Sequence, residues 1–208
     1  MILYCDRFWI SPYVFSCFVA LREKGIAFET RDVGLDRGEQ RDAEYEARSI
    51  TGRVPMLAED DFMLAESQAI VEYLEDTRPE PPLFPRAPRE RARARQVLAW
   101  LRSDLDALRA ERPTSTMFYE HATEPLGARG RAAAEKLVAV TERLLPSGRT
   151  QLFDAWSIAD ADLAFMLHRL LLNGHDVPAR VRRFAEAQWT RPSVAEFVSR
   201  ARPTYVPY

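Results

Sequence analysis

The sequence predicts an α/β half followed by an all-helical half. Three observations carry this. Before residue 79, short apolar runs of strand length alternate with segments of helical spacing. Beyond residue 88 no convincing strand occurs. Between the two lies Pro79-Glu80-Pro81-Pro82-Leu83-Phe84-Pro85-Arg86-Ala87-Pro88, five prolines in ten residues. Such a stretch neither continues a helix nor joins a central strand. The expected organisation is a first domain at 1–78, a proline-rich linker at 79–88 and a second domain at 89–208.

Ile2-Leu3-Tyr4-Cys5 is a short apolar run suited to a buried strand. Ser11-Pro12 reads as an N-cap with proline in the first helical position. Val14, Phe15, Phe18, Val19 and Leu21 then recur on one broad helical face, and Gly25 supplies a stop. Ala27 to Val33 alternates as a second strand, and residues 41–48 are polar and weakly helical. Met56-Leu57-Ala58 and Phe62-Met63-Leu64 flank Asp60-Asp61, the pattern of a hairpin. Glu66-Ser67 opens a last helix through Ala69, Ile70, Tyr73 and Leu74. A parallel first crossover and an antiparallel hairpin give a four-stranded mixed sheet, the thioredoxin-like arrangement. In the second half, helices are expected near 89–111, 128–145, 157–173, 178–189 and 192–201, punctuated by Pro113, Pro146, Pro178 and Pro192. Ser157-Ile158-Ala159-Asp160 is a capping box, read as structural.

The bulk properties exclude several classes. Over 208 residues the formal net charge is −2, which asks for neither nucleic acid nor an anionic membrane as partner. Arg86, Arg89, Arg91, Arg93 and Arg95 read as a solvated helix face. Cys5 and Cys17 fit neither a redox pair nor a metal site, and both fall in apolar surroundings. No signal-peptide pattern or membrane-length apolar run is present, so a soluble cytoplasmic protein is expected. His121, His168 and His175 are the only histidines, no nucleophile elbow accompanies them, and no metal is expected.

Three features bear on chemistry. Ser11 opens a helix after a strand, at the positive end of the helix dipole. It is either a cap alone or a hydroxyl that donates to a bound thiolate. Stabilising such an anion by about 2.7 kcal/mol lowers a thiol pKa by about two units, enough to make thiolate the main form near neutrality. Val54-Pro55, heading the third strand, is a candidate cis peptide that would leave the Val54 backbone able to pair with an extended peptide. Glu66-Ser67 is either a pair of caps or a site for a carboxylate and an ammonium. Together they offer a thiolate donor, a backbone clamp and an α-amino-acid site, matching the functional groups of γ-glutamyl-cysteinyl-glycine.

Over its whole length the sequence resembles the glutathione transferase superfamily. The carrying residues are Ser11-Pro12-Tyr13, Gly52-Arg53-Val54-Pro55, Glu66-Ser67-Gln68-Ala69-Ile70 and Ser157-Ile158-Ala159-Asp160-Ala161-Asp162. Arg93 to Gln96, Trp100 to Leu105 and Glu111 to Thr114 look like a bacterial subgroup, the YfcF type. The resemblance implies Ser11 as thiolate-activating residue, and Val54, Pro55, Glu66 and Ser67 as glutathione-binding residues. Arg53 is either a partner of the glycine carboxylate or a surface charge, and Gln40 is a glycine-end candidate that stands where histidine is frequent. It further implies a homodimer with an electrophile pocket between its domains, with Phe8, Trp9, Trp100, Arg109, Arg112, Phe118 and Tyr119 as candidate lining. Arg109 and Arg112, read as exposed, would suit anionic substrates. The implied activity is attack of the glutathione thiolate on small hydrophobic electrophiles, or reduction of organic hydroperoxides, in detoxification or oxidative stress. The alternatives are a glutathione-dependent disulfide reductase acting through Cys17 and a non-catalytic glutathione-binding scaffold.

Overall fold

The computed structural model describes residues 1–208 as two compact units, Met1–Leu83 with Ala195–Tyr208, and Phe84–Val194. The first boundary falls inside the expected linker. The C-terminal residues differ from the expected assignment: Ala195–Tyr208 belongs with the α/β unit.

That unit is built on β1 (Ile2–Asp6), β2 (Glu29–Val33), β3 (Met56–Glu59) and β4 (Phe62–Ala65), in the sheet order β2-β1-β3-β4. β1 runs parallel to β2, and β3 is antiparallel to both β1 and β4. The mixed four-stranded sheet of the sequence reading is therefore present. β2 is an edge strand with only Val33 buried, so the alternation of residues 27–33 marks no inward face. Two 3-10 turns, Leu35–Arg37 and Glu39–Arg41, precede the short helix α2 (Ala43–Glu46).

Helix α1 (Pro12–Glu23) is buried continuously from Val14 to Leu21. It packs on β1 and on α3 (Ser67–Thr77), and its other side meets the returning C-terminal segment. There Phe197 sits edge-on to Phe15 and Phe18, with ring centroids 5.3 and 5.6 Å apart. A helix apolar on all sides needs cover on all sides. Phe197, fully buried, contributes about 2–3 kcal/mol of that burial.

The second unit contains α4 (Pro88–Ser103), α5 (Asp106–Glu111), α6 (Ser115–Phe118), α7 (Ala128–Leu144), α8 (Ile158–Leu171) and α9 (Ala179–Trp189). The boundary between units lies within α10 (Pro192–Val198). α8 is the central helix, buried from Ile158 to Leu170 apart from Asp162, whose residue is half-buried, and packed against α4 and α9. Asp160 anchors its start by accepting from the Ser157 N–H at 2.8 Å, the Ser157 hydroxyl at 3.1 Å and the Leu152 N–H at 2.6 Å.

The single helix expected over 89–111 is broken. Leu105 adopts φ 63°, and its N–H is taken by the Asp104 carboxylate at 2.8 Å. That carboxylate also accepts the Trp100 indole N–H at 2.9 Å and pairs with Lys136, which chiefly holds its pKa down at about 2. A side chain competing for the next backbone amide ends the helix where apolar spacing alone would continue it.

Candidate glutathione site

The strand register assembles the site. Met56 opposes Tyr4 on one side and Ala65 on the other. The end of β1, the start of β3 and the end of β4 therefore share one end of the sheet. From that end emerge the loop to Ser11, the Val54-Pro55 pair and the Glu66-Ser67 pair.

Ser11 caps α1, its Oγ accepting the Val14 N–H at 3.3 Å. Its own N–H goes to Asp6 Oδ1 at 3.1 Å, and Asp6 Oδ2 takes the Ile10 N–H at 2.9 Å. Asp6 is fully buried, and burial raises its pKa, opposed by these backbone donors and by the charge of Arg202. The role of Asp6 was missed in the sequence. A lone acidic residue ending an apolar run was its only signal.

The Val54-Pro55 peptide is cis, and the β3 ladder begins only at Met56. Arg53 is exposed, and its carbonyl accepts the Tyr45 hydroxyl at 2.8 Å, tying α2 to the segment before Val54-Pro55. Burial pushes the Tyr45 phenol up, so it remains a donor. Gln40 lies beside the same segment: a Cβ built on Gly52 would stand 3.5 Å from the Gln40 carbonyl oxygen. The Gln40 side-chain oxygen is buried and meets no protein donor. A buried amide oxygen without a protein donor is costly unless a water or a ligand group supplies one.

Glu66 is exposed at φ 74°, ψ 114°, a conformation that a non-glycine residue enters at a cost of about 1–3 kcal/mol. Ser67, the first residue of α3, is buried, and its carbonyl faces Cys17 Sγ at 3.7 Å. Cys17 is itself fully buried.

The seven expected second-substrate residues fall into different surroundings. Phe8 and Trp9 are core residues of the α/β unit at 0% and 3% exposure. The Trp9 indole N–H donates to Asp32 Oδ1 at 3.2 Å, and its ring packs on Phe18 and Phe197, so little of it is left for a ligand. In the helical unit, Trp100 lines a cavity of about 630 Å³ with Arg93, Val97, Val140, Leu144 and Phe153. Arg109, Arg112, Phe118 and Tyr119 are outside that lining. Arg112 corrects the expectation of exposure. It is 4% exposed and donates to His175 Nε2 at 3.0 Å and to the carbonyls of Glu111 and Glu124 at 2.8 and 2.7 Å. Half-buried Arg109 donates to the carbonyls of Leu101 and Asp104. Both guanidinium groups hold backbone turns, the work that strand-free helical connections demand. Phe118 packs 6.0 Å from Phe165, and Tyr119 ends α6.

No group of three or more His, Cys, Asp or Glu side chains is placed to hold a metal ion, and no helix is long and apolar enough to cross a membrane.

Comparison with known proteins places residues 7–82 in the glutathione S-transferase N-terminal domain family and residues 88–202 in the glutathione S-transferase C-terminal domain family. A solved glutathione transferase homologue from Burkholderia, with bound glutathione, is 38% identical at TM-score 0.77, covering 95% of each chain. The maleylacetoacetate isomerase of Methylobacterium extorquens AM1, solved with malonate and glutathione, is 31% identical at TM-score 0.75, over 95% of this chain and 96% of that one. A maleylacetoacetate isomerase of Dictyostelium discoideum is 38% identical over 49% of this chain and 47% of its own length. The chain thus spans about half the length of that curated relative.

Proposed function

Because the chain belongs to the glutathione S-transferase family, we propose that it binds glutathione along the sheet end described above and activates its thiol at Ser11. The carrying observation is the shared register of Tyr4, Met56 and Ala65, which sets Ser11, Val54-Pro55 and Glu66-Ser67 around one end of one sheet. In this reading Ser11 donates its hydroxyl proton to the thiolate while α1 presents its positive end. Val54 pairs by its backbone with the cysteinyl unit, Glu66 receives the γ-glutamyl ammonium, and Ser67 with the start of α3 receives the adjoining carboxylate. Arg53 serves the glycine carboxylate, and the Gln40 amide oxygen, an acceptor, serves the glycyl N–H.

The reaction we favour is addition of the thiolate to a carbon–carbon double bond conjugated with a carbonyl. The sulfur–carbon bond forms while the double-bond electrons move toward the carbonyl oxygen. The former double bond can then rotate. Expulsion of the thiolate restores it in the other geometry and returns glutathione unchanged. The relatives named as maleylacetoacetate isomerases favour this isomerising branch, and an unsaturated acid as substrate, over the YfcF-type subgroup. Conjugation stops at the protonated adduct, and hydroperoxide reduction would direct the same thiolate at oxygen. A reductase working through Cys17 is disfavoured, since a thiol at 0% exposure is closed to a mixed disulfide. Homodimer assembly and a cytoplasmic setting belong to the same proposal.

The test is a pH titration of bound glutathione followed by thiolate absorbance, in wild type and Ser11→Ala. Thiolate near neutral pH in the wild type, moved up by a unit or more in the variant, supports the reading. A thiol that titrates as in free solution when bound to wild type removes it. Incubation with a cis-unsaturated diketo acid, glutathione being recovered unchanged, then separates isomerisation from conjugation.

A further inference from the structure

The loop that delivers Ser11, Arg7 to Ile10, is bound to the β2 side by the Arg7–Asp36 pair and the Trp9 indole bond to Asp32, and its turn is held from two further sides. On one side stands Asp6, through the N–H groups of Ile10 and Ser11. On the other stands the C-terminal segment, some 190 residues away in sequence, which the glutathione reading does not use. Arg202 Nε donates to the Trp9 carbonyl at 3.2 Å. The same guanidinium donates to the carbonyls of Val198 and Phe197, each at 3.0 Å, and of Arg200 at 2.8 Å. One planar cation therefore ties the end of α10 to the loop.

The surrounding contacts reinforce this tie. The Arg200 guanidinium lies 3.7 Å from the Trp9 ring centroid. Tyr205 meets Phe8 edge-on at 5.2 Å, and Tyr208 stacks on it at 5.8 Å with planes 11° apart. Trp9 itself sits at φ 54°, a backbone conformation that a bulky residue keeps only when neighbours impose it. Its N–H is bonded to the Asp6 carbonyl at 3.0 Å and its carbonyl to Arg202.

We propose that Arg202 is a positioning residue for Ser11, fixing the Trp9 carbonyl so that the loop turns and presents the Ser11 hydroxyl to the glutathione sulfur. This rests on the glutathione-activating reading above. A guanidinium suits the task because it offers several donors in one rigid plane, whereas an ammonium cannot reach four carbonyls in this arrangement. Arg202 touches neither thiol nor electrophile and acts only through the loop.

The experiment compares wild type, Arg202→Lys and Arg202→Ala by two readouts, with thermal melts to confirm folding. The first is the pKa of the bound glutathione thiol. Arg202→Ala should raise it by about one unit, a tenfold loss of thiolate below the pKa, with Arg202→Lys between alanine and wild type and the KM for glutathione changed less than twofold. The second is hydrogen exchange at the Ile10 and Ser11 amides, which should quicken at least tenfold in Arg202→Ala. A folded Arg202→Ala protein with unchanged thiol pKa and unchanged exchange overturns the assignment. Should wild type itself fail to lower the thiol pKa, the glutathione-activating reading falls instead, and the exchange rates alone judge whether Arg202 holds the loop. If the alanine variant does not fold, the lysine variant decides: wild-type values in both readouts overturn the assignment.

Discussion

Asp6 Oδ1 accepts the backbone N–H of Ser11 at 3.1 Å from a fully buried position. A carboxylate placed so provides no chemistry of its own in the proposed reaction. It sets the direction from which the chain enters α1 and so where the Ser11 hydroxyl stands.

Replacing Asp6 with alanine leaves the Ile10 and Ser11 amides without their acceptor. At about 1–3 kcal/mol for an unmatched buried amide, with the Ser11 amide only partly buried, the expected loss is about 3 kcal/mol of stability, with a large fall in kcat. Asp6→Asn retains one acceptor and should be intermediate in both. Denaturant unfolding and steady-state kinetics on the same preparations check this; full activity in Asp6→Ala would detach the residue from the site.

Glu66 sits at φ 74°, so its conformation and its proposed duty pull in opposite directions. Glu66→Gly should raise stability by up to about 1 kcal/mol, because glycine enters this region without the β-carbon clash. The same variant should bind glutathione at least tenfold more weakly. Calorimetry of binding and unfolding measures both, and a glycine variant that binds as tightly as wild type would dismiss Glu66 from the ammonium site.

The ammonium of Lys24 has no exposure and donates to Glu75 Oε2 at 2.8 Å and to the carbonyls of Arg78 and Pro81 at 2.5 and 2.9 Å. Glu75 Oε2 also accepts the Leu83 N–H at 2.9 Å. Lys24→Met strands a buried carboxylate and should cost about 3–5 kcal/mol. The double variant Lys24→Met, Glu75→Gln should recover part of that loss, because the uncompensated charge is gone. Urea unfolding of the four proteins of this cycle provides the comparison; an additive double variant would contradict the pairing.

His168 is buried, stacks on Trp189 at 3.7 Å between ring centroids, and points Nδ1 at the Ala164 carbonyl at 2.8 Å. Burial lowers its pKa to about 4, opposed by that hydrogen bond. The folded state thus holds His168 neutral while the unfolded chain takes up a proton below about pH 6.5. Stability falls as the pH drops from 6.5 toward 4, by at most about 3 kcal/mol from this residue. Asp160, raised to about 6 by burial, acts with opposite sign, since its contribution weakens as pH rises from 3.8 through 6. Subtracting the melting curve of His168→Phe, which keeps a stacking ring, isolates the histidine. The variant should gain on wild type steadily below pH 6.5, and parallel curves would mean that His168 is protonated in the fold.

Much of the candidate site was legible because its signals are local. Ser11-Pro12 states a helix start, Val54-Pro55 heads an apolar run, and Glu66-Ser67 opens a helix; each is carried by adjacent residues whose backbone preferences act at short range. Their order along the chain, with strand and helix periodicities, also determined the four-stranded sheet and the all-helical second half. The family could be named from those motifs because they fall in sequence where the fold needs them.

Tertiary structure alone decided the rest. Arg112 in sequence is one arginine among many. Its burial depends on the Glu111 and Glu124 carbonyls and His175 meeting at one point. The break at Leu105 depends on Asp104 being held by Trp100 and Lys136, the latter a residue of another helix. The return of Ala195–Tyr208 to the α/β unit follows from an α1 that is apolar on every side and needs Phe197 to cover it. Short-range backbone preference is written in neighbouring residues. The burial of a charge and the cover of a helix are set by residues distant in sequence, which meet only when the chain has folded.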